Sequence, residues 1–462
     1  MLETMGWLSI VPVIIAIVLA LWTKNTVFSL SIACIVGCFM AGKGLWGFTD
    51  VLQSALGNSD FIWAALNILF FGVLCTYYEK SGAIDGFTRI MSAKQLKRKG
   101  CQIMAWALGI FCFADSMSPL FVGSVMRKLS DKAKISREKL AYIADSTAAP
   151  VSILYPFTGW SSYLTGLAVG VGCLATREQA YSFMLKAIPL NFYAIFSLLF
   201  VLLIGLGVVK DFGPMKKAEK RAMEEGKLFS DGAMPLSTVG GKKSDSLKEH
   251  VFLNFILPTI LLIVISVGAF IAIGSVKVLE AVTIVIILMS ISFLIQGMSL
   301  RELGEVFTEG IKGAMPAVMV LAVAYPLNAI TKEMGAQQFI MSATQHLLPA
   351  IIPVGVFLIC AVLSFATGTS WGTYAIAMPL ALPMAFEVTG GDATLFTLLC
   401  FSAVAGGGLF GDHCSPVSDT TIMSSMGAGS DHIDHVKTQT PYALLVAGIC
   451  AIIYLILGFI SV

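Results

Sequence analysis

The residues Phe113-Ala114-Asp115-Ser116-Met117-Ser118, followed by Ala144-Asp145-Ser146-Thr147, are echoed later by Phe365-Ala366-Thr367-Gly368-Thr369-Ser370, followed by Gly411-Asp412-His413-Cys414. Each set pairs a short run of small and hydroxyl-bearing residues with an aspartate, and each interrupts sequence apolar enough to lie in lipid. An ionised carboxylate at that depth is expensive and marks a function. Two such interruptions in the same order, half a chain apart, predict an internally repeated membrane protein whose broken helices hold polar groups near the bilayer midplane.

Composition sets the same frame. With 57% hydrophobic and 13% charged residues and a mean hydropathy of +0.85, the chain cannot cover a water-facing surface. Apolar runs of spanning length recur near 7–23, 26–42, 61–79, 140–172, 181–209, 251–275, 279–297, 313–331, 394–425 and 440–461. The first run follows an uncharged or acidic start and has no small-residue cleavage site, so it is expected to stay as a span. The ten cysteines form no C-x-x-C pair and read as small buried hydrophobes. The balance of 30 basic and 28 acidic residues carries no nucleic-acid signature.

Two further segments, 101–126 and 350–386, break in the middle. Lys94, Lys97, Arg98 and Lys99 precede the first and Arg127, Lys128, Lys132 and Lys134 follow it. Cytoplasmic loops collect Lys and Arg, so a segment with both ends inside enters and returns as a re-entrant hairpin. Its counterpart, with no Lys or Arg between Glu333 and Val436, is expected to open to the outside. Placing both termini extracytoplasmic leaves Lys43, Arg177, Lys186, Lys277 and Lys332 as the exceptions among 30 basic residues. The expected fold is an all-α polytopic protein of the cell (inner) membrane. It has two inverted-topology repeats, 1–209 and 251–462, each of about five transmembrane helices plus one hairpin. Leu45 to Leu56 and Leu300 to Ile311 read as matching interfacial helices. Residues 210–250, with nine basic and seven acidic residues, read as a solvated cytoplasmic linker.

The chemistry is carried by polar residues that lipid should exclude. Asp115, Asp145, Asp412 and Asp419 fall within or at the edge of apolar runs, and the nearest cations, Arg127, Arg137 and Lys186, fall at predicted span ends. A proton or a metal cation is left as the partner. Ser116, Ser118, Ser146, Thr147, Thr367, Thr369, Ser370, Ser415, Ser418, Thr420 and Thr421 offer hydroxyl oxygens beside them, and oxygen suits Na+. Pro119, Pro150 and Pro416 favour helix breaks that free carbonyls. A lone intramembrane Asp can instead be a protonated contact between helices, and Asp419 before Thr420-Thr421 can cap a half-helix. His413 is either a proton shuttle or an orienting neighbour of Asp412. The run Asp431-His432-Ile433-Asp434-His435 reads as a polar turn rather than a metal site. Gly37 to Lys43 has the G-x-x-x-x-G-K spacing, but Gly44 replaces the Ser or Thr that holds magnesium, so no nucleotide loop is expected. No cofactor motif and no nucleophile–base arrangement stands out, and an enzyme is not expected.

The run Gly411-Asp412-His413-Cys414-Ser415-Pro416-Val417-Ser418-Asp419-Thr420-Thr421, with Thr369-Ser370-Trp371-Gly372-Thr373 before it, resembles the G-D-x-x-S-P-x-S-D-T-T signature of the NhaC-type sodium/proton antiporters. That resemblance covers most of the chain outside 210–250. It implies the ion transporter superfamily fold, an elevator-like motion, a homodimer, and functional roles for Asp412, Ser415, Asp419 and Thr420. The mechanism expected is competition between Na+ and H+ at embedded carboxylates, with Asp145, Asp412 and His413 as proton-coupling candidates and Asp145, Asp412 and Asp419 as Na+ ligands. The alternative is Na+- or H+-coupled carriage of a small organic solute, an amino acid or a hydroxy or dicarboxylic acid, with Tyr155, Phe157 and Trp371 as nearby aromatics.

Overall fold

The computed structural model describes residues 5–23, 25–83, 86, 96–111, 118–235, 247, 250–273, 277–336, 339, 348–416 and 418–462. Helix α1 (Val11–Thr23) leads to α2 (Thr26–Met40), which Asn25 caps by accepting from Phe28 N at 3.0 Å. The chain then turns through 118° into α3 (Gly44–Leu56) at a corner where Gly42 and Gly44 hold positive φ. Helix α4 (Ser59–Lys80) follows. Then come α5 (Arg98–Phe111), α6 (Ser118–Lys132), α7 (Arg137–Ser146), α8 (Ala149–Leu154), α9 (Gly159–Ala168), α10 (Arg177–Ala187), α11 (Phe192–Leu206) and α12 (Gly213–Glu224). The second half holds α13 (Leu257–Ile273), α14 (Val278–Gln296), α15 (Leu300–Glu333), α16 (Ile352–Thr367), α17 (Ser370–Val388), α18 (Leu395–Cys414), α19 (Asp419–Ala428) and α20 (His432–Ser461).

Among the described residues, five helices are long and apolar enough to cross a membrane, or seven if the bent pairs α2/α3 and α10/α11 each count as one span. One group of helices, α1 to α4 with α13 to α15, is built around the crossing of α4 and α15. A Cβ at Gly72 would lie 2.6 Å from Ala314 Cβ, and one at Gly310 would lie 2.5 Å from Val73 Cα. Small residues therefore let the two backbones touch, which is how helices associate where no water drives them together. Tyr77 Oη lies 2.9 Å from Ser290 Oγ and Tyr78 Oη 3.1 Å from Thr259 Oγ1, tying α4 to α14 and α13. Helices α8, α10, α11, α16, α17, α19 and α20 pack around the buried α18, and the polar breaks lie in this second group.

Three expectations change in the structure. The run 140–172 is not one span but α7, α8 and α9. Ala148 leaves helical geometry just before Pro150, and Thr158 starts α9 with a capping box to Ser161. Leu300 to Ile311 is not a separate interfacial helix, because it continues without a break into α15. The 210–250 stretch is not simply solvated: α12 packs on α7 and α20 with Glu219 1% exposed. Glu219 pairs with Arg98, lies 3.4 Å from Lys139 Nζ, and accepts from Ser136 N at 2.9 Å. Lys139, 2% exposed, also binds Asp211 at 2.7 Å, and Arg221 binds Glu138 at 2.7 Å. Of the two expected hairpins, α16 and α17 meet at Gly368 and Thr369, while residues 112–117, between α5 and α6, lie outside the described residues.

Removing one partner from a buried ion cluster strands the others. Glu219→Ala is expected to cost about 3–5 kcal/mol, read as a lowered unfolding temperature in detergent. Lys220→Ala, which removes the exposed pair with Glu224, is expected to cost under about 1 kcal/mol. Equal effects would show that α12 is not docked as described.

Candidate functional site

The site forms where α18 stops short. Helix α18 ends at Cys414, Ser415 turns out to extended geometry, and α19 begins at Asp419. The last turn of α18 is pressed against α16: a Cβ at Gly411 would lie 2.0 Å from Phe365 N and 2.1 Å from Ser364 C. Ser364 Oγ accepts from Gly411 N at 3.0 Å and donates to Gly407 O at 3.0 Å, while Ser415 Oγ donates to Phe365 O at 2.6 Å. These bonds hold Asp412, 2% exposed, beside the α16–α17 turn.

Both carboxylate oxygens of Asp412 accept hydroxyl protons: Oδ2 from Ser370 Oγ at 2.7 Å and Oδ1 from Ser418 Oγ at 2.9 Å. Its main-chain carbonyl, freed by the end of the helix, accepts from Thr420 Oγ1 at 2.9 Å and Thr421 Oγ1 at 3.2 Å. A buried charge needs such donors, and α17 and the loop before α19 supply them to the carboxylate.

The other break ends α7. Asp145 is fully buried; its Oδ2 accepts from Gln439 Nε2 at 2.9 Å and lies 3.3 Å from His435 Nε2. Its neighbour Ser146 lies 2.8 Å from Nε2 of His413, whose Nδ1 is 2.9 Å from Tyr193 Oη. Gln439 Nε2 also donates to the main-chain carbonyl of His413. The two aspartates thus belong to one network through α18 and α20. His413, held on both ring nitrogens, sits between the breaks.

The other expected residues divide. Thr147 Oγ1 donates to Ile143 O at 2.8 Å and fills the space left by Gly109, where a Cβ would lie 1.9 Å away. Thr367 Oγ1 donates to Leu363 O at 2.8 Å, so its proton stays within α16. Thr369 caps α17, accepting from Gly372 N at 3.4 Å. Ser118 opens α6, buried, with no hydrogen-bond partner for Oγ among the described residues. Asp115 and Ser116 lie outside the described residues, as does the side chain of Asp419. Among the described residues no group of three His, Cys, Asp or Glu is spaced to hold a metal. The oxygen-rich surroundings fit a hard monovalent cation rather than a transition metal.

His435, Gln439 and Tyr193 were missed in the sequence. The Asp431–His435 run is no free turn: Asp431 caps α20, and His432 reaches Ser425 Oγ at 3.1 Å and Pro416 O at 2.7 Å. The available signal was the i, i+4 spacing of His435 and Gln439, which puts both on one helix face. At the far end of α19, Arg127 and Arg137 donate to the carbonyls of Met426, Gly427 and Ala428, satisfying a helix C-terminus with positive charge. Beside the α16–α17 turn, the Trp371 ring lies 5.0 Å from that of Trp160, tilted, and 4.7 Å from that of Tyr163, edge-on, and Tyr163 Oη donates to Trp371 O at 2.9 Å.

Residues 151–459, which include Asp412 and the α20 residues, match the Na+/H+ antiporter family profile. A Haemophilus influenzae protein, named as uncharacterized, is 32% identical over 98% of this chain and 91% of its own. The malate-2H(+)/Na(+)-lactate antiporter of Bacillus subtilis is 29% identical over 35% of this chain and 34% of its own. Among solved structures, the YdaH transporter of Alcanivorax borkumensis is similar with a TM-score of 0.56 at 13% identity, covering 90% of this chain and 89% of that one. At that identity the likeness is one of fold.

Gly411 is a sharp test of the packing that seats Asp412. Gly411→Ala places a methyl against main-chain atoms that cannot rotate away, so α16 and α18 must separate. The expected cost is about 1–3 kcal/mol, measured as a lowered unfolding temperature. Gly448→Ala, in open space on α20, is expected not to lower the unfolding temperature.

Proposed function

The chain belongs to the Na+/H+ antiporter family, and on that premise we propose that it exchanges Na+ for H+ by competition at Asp145 and Asp412. It is a multi-pass membrane protein and a secondary antiporter, not an enzyme. The observation that carries the finer reading is a pair of buried aspartates at helix breaks, Asp412 held by the hydroxyls of Ser370 and Ser418 and Asp145 by Gln439 and His435. A carboxylate in this setting favours either a proton or a small cation, and each excludes the other. The Na+ coordination would draw on Asp412, Ser370, Ser418 and Thr420, and on Asp145. Alternating exposure would come from an elevator-like movement of the break-bearing helices against the group built on α4 and α15. The α5–α6 and α16–α17 pairs would act as re-entrant hairpins of two inverted repeats. The reading includes a homodimer in the cell (inner) membrane, with both termini extracytoplasmic.

A second reading is exchange of a small organic solute coupled to Na+ or H+. It is favoured by the Trp160, Tyr163 and Trp371 cluster at the α16–α17 turn and by the lactate–malate exchange named for the Bacillus subtilis relative. An aromatic wall beside hydroxyls suits a solute larger than an ion.

Vesicles reconstituted with the protein and a trapped pH dye separate the readings. External Na+ alone is expected to dissipate an imposed proton gradient. Asp412→Asn removes a charge whose loss is worth about 3–5 kcal/mol, so the Na+ response should weaken by more than ~100-fold. If Na+ alone does nothing while one of a panel of amino and hydroxy acids accumulates on a Na+ gradient, the second reading holds.

A further inference from the structure

Resting on the exchange reading above, we infer that the seat contested by H+ and Na+ is Asp145 Oδ1, and that Gln439 and His435 of α20 belong to that seat, Gln439 Oε1 as a ligand and His435 as a positioning residue. The two aspartates differ in what surrounds them. Asp412 receives a hydroxyl proton on each carboxylate oxygen, so it is satisfied as an anion. Asp145 receives donors on Oδ2 only. Its Oδ1 is buried and accepts no hydrogen bond from any described residue, and the same holds for Gln439 Oε1. These two acceptors sit on side chains already joined by the 2.9 Å bond from Gln439 Nε2 to Asp145 Oδ2. Gln439 Nε2 has two acceptors, Asp145 Oδ2 and the His413 carbonyl, which fixes the amide with its oxygen as the free end.

Buried acceptors without donors require a positive charge or a proton. The hydroxyls of Thr421 and Ser424 face the Asp145 carboxylate from α19. Their protons go to main-chain carbonyls, Thr421 to Asp412 O at 3.2 Å and Ser424 to Thr420 O at 2.6 Å. With those protons on carbonyls, the hydroxyl oxygens are available to a cation seated beside the carboxylate. A carboxylate oxygen, an amide oxygen and two hydroxyl oxygens make an all-oxygen set suited to Na+. A proton on Oδ1 satisfies the carboxylate in its place, which gives one seat two mutually exclusive occupants. His435 Nε2, on Oδ2, holds the carboxylate with Oδ1 turned to that seat. Among the described residues, the other titratable groups around Asp145 are His432 on α20, His413 and Cys414 on α18, and Tyr142 on its own helix, with Asp412 beyond His413.

The test is Na+-driven proton movement in vesicles, resolved into KM for Na+, kcat and the pH midpoint, for wild type, Gln439→Leu, Gln439→Glu and His435→Gln. Gln439→Leu is expected to raise KM for Na+ roughly tenfold, as loss of one hydrogen-bonding or ligand contact does. Gln439→Glu restores an oxygen and adds negative charge, so KM returns toward wild type and the pH midpoint moves up, because a second carboxylate favours the proton. His435→Gln is expected to move the midpoint as well. Na+-dependent thermal stabilisation of each variant in detergent reports binding apart from turnover. Variants that lower kcat while KM, midpoint and Na+ stabilisation stay as in wild type overturn this inference and leave the exchange reading standing. A wild type that moves no protons with Na+ overturns both. If Gln439→Leu does not fold, the unchanged or upward-shifted midpoint of Gln439→Glu decides alone.

Discussion

Two carboxylates must be kept inside a protein whose exterior is lipid, and the arrangement of the surrounding helices follows from that demand. A buried anion has no water to turn to, so protein groups must point donors at it or a cation must accompany it. For Asp412 the donors come from α17 and from the loop before α19, which requires both a turn and a helix break within reach of one side chain. Close approach makes that possible. Gly407, Gly408 and Gly411 line α18 where a Cβ would meet Phe357 O, the Tyr374 ring and Phe365 N. Glycine here is a packing choice, letting the α18 backbone lie against its neighbours so that short hydroxyl side chains span the gap.

The breaks themselves were legible. Asp412, Ser415 and Pro416 stand where a helix cannot continue without losing a donor, and α18 stops two residues before that proline. Pro150 marked the corresponding interruption after Asp145. Ser370 and Ser418, placed near an aspartate on the pattern of hydroxyls, do bond it, whereas Thr147 and Thr367 spend their protons inside their own helices. Sequence alone does not separate these cases, because a Ser or Thr in an apolar helix satisfies itself locally whenever nothing better is in reach. His435 and Gln439 stayed hidden for another reason. The charged run that precedes them looks like a turn, and only tertiary packing shows that α20 starts there and directs one face at Asp145.

The charged segment that carries α12 follows the same rule at the polar ends of the helices. Lys139 stands six residues before Asp145 on α7 and is buried, so it needs anions. Asp211 and Glu219 provide them from the chain that composition marks as a linker. Tyr442 Oη, donating to Asp211 at 2.9 Å, brings α20 into the same cluster. The helix that carries Asp145 and the helix that carries His435 and Gln439 are therefore clamped together at their charged ends, outside the apolar interior. That clamp contributes position to the inner site without touching it. A buried pair of this kind stabilises less than its Coulomb energy suggests, and its value lies more in fixing which elements stay together.

The two breaks differ in chemistry. At one break hydroxyl protons cover both oxygens of the carboxylate; at the other an imidazole and an amide cover one oxygen. The amide of Gln439 ties the two together, since the same Nε2 serves Asp145 and the carbonyl of His413, the residue after Asp412. Any change in how tightly Asp145 holds that amide alters the bond left for the end of α18. On the exchange reading, occupancy at one break is thereby felt in the backbone of the other. The coupling needs no charged side chain between the aspartates, only a shared donor at the point where both helices have let their carbonyls go.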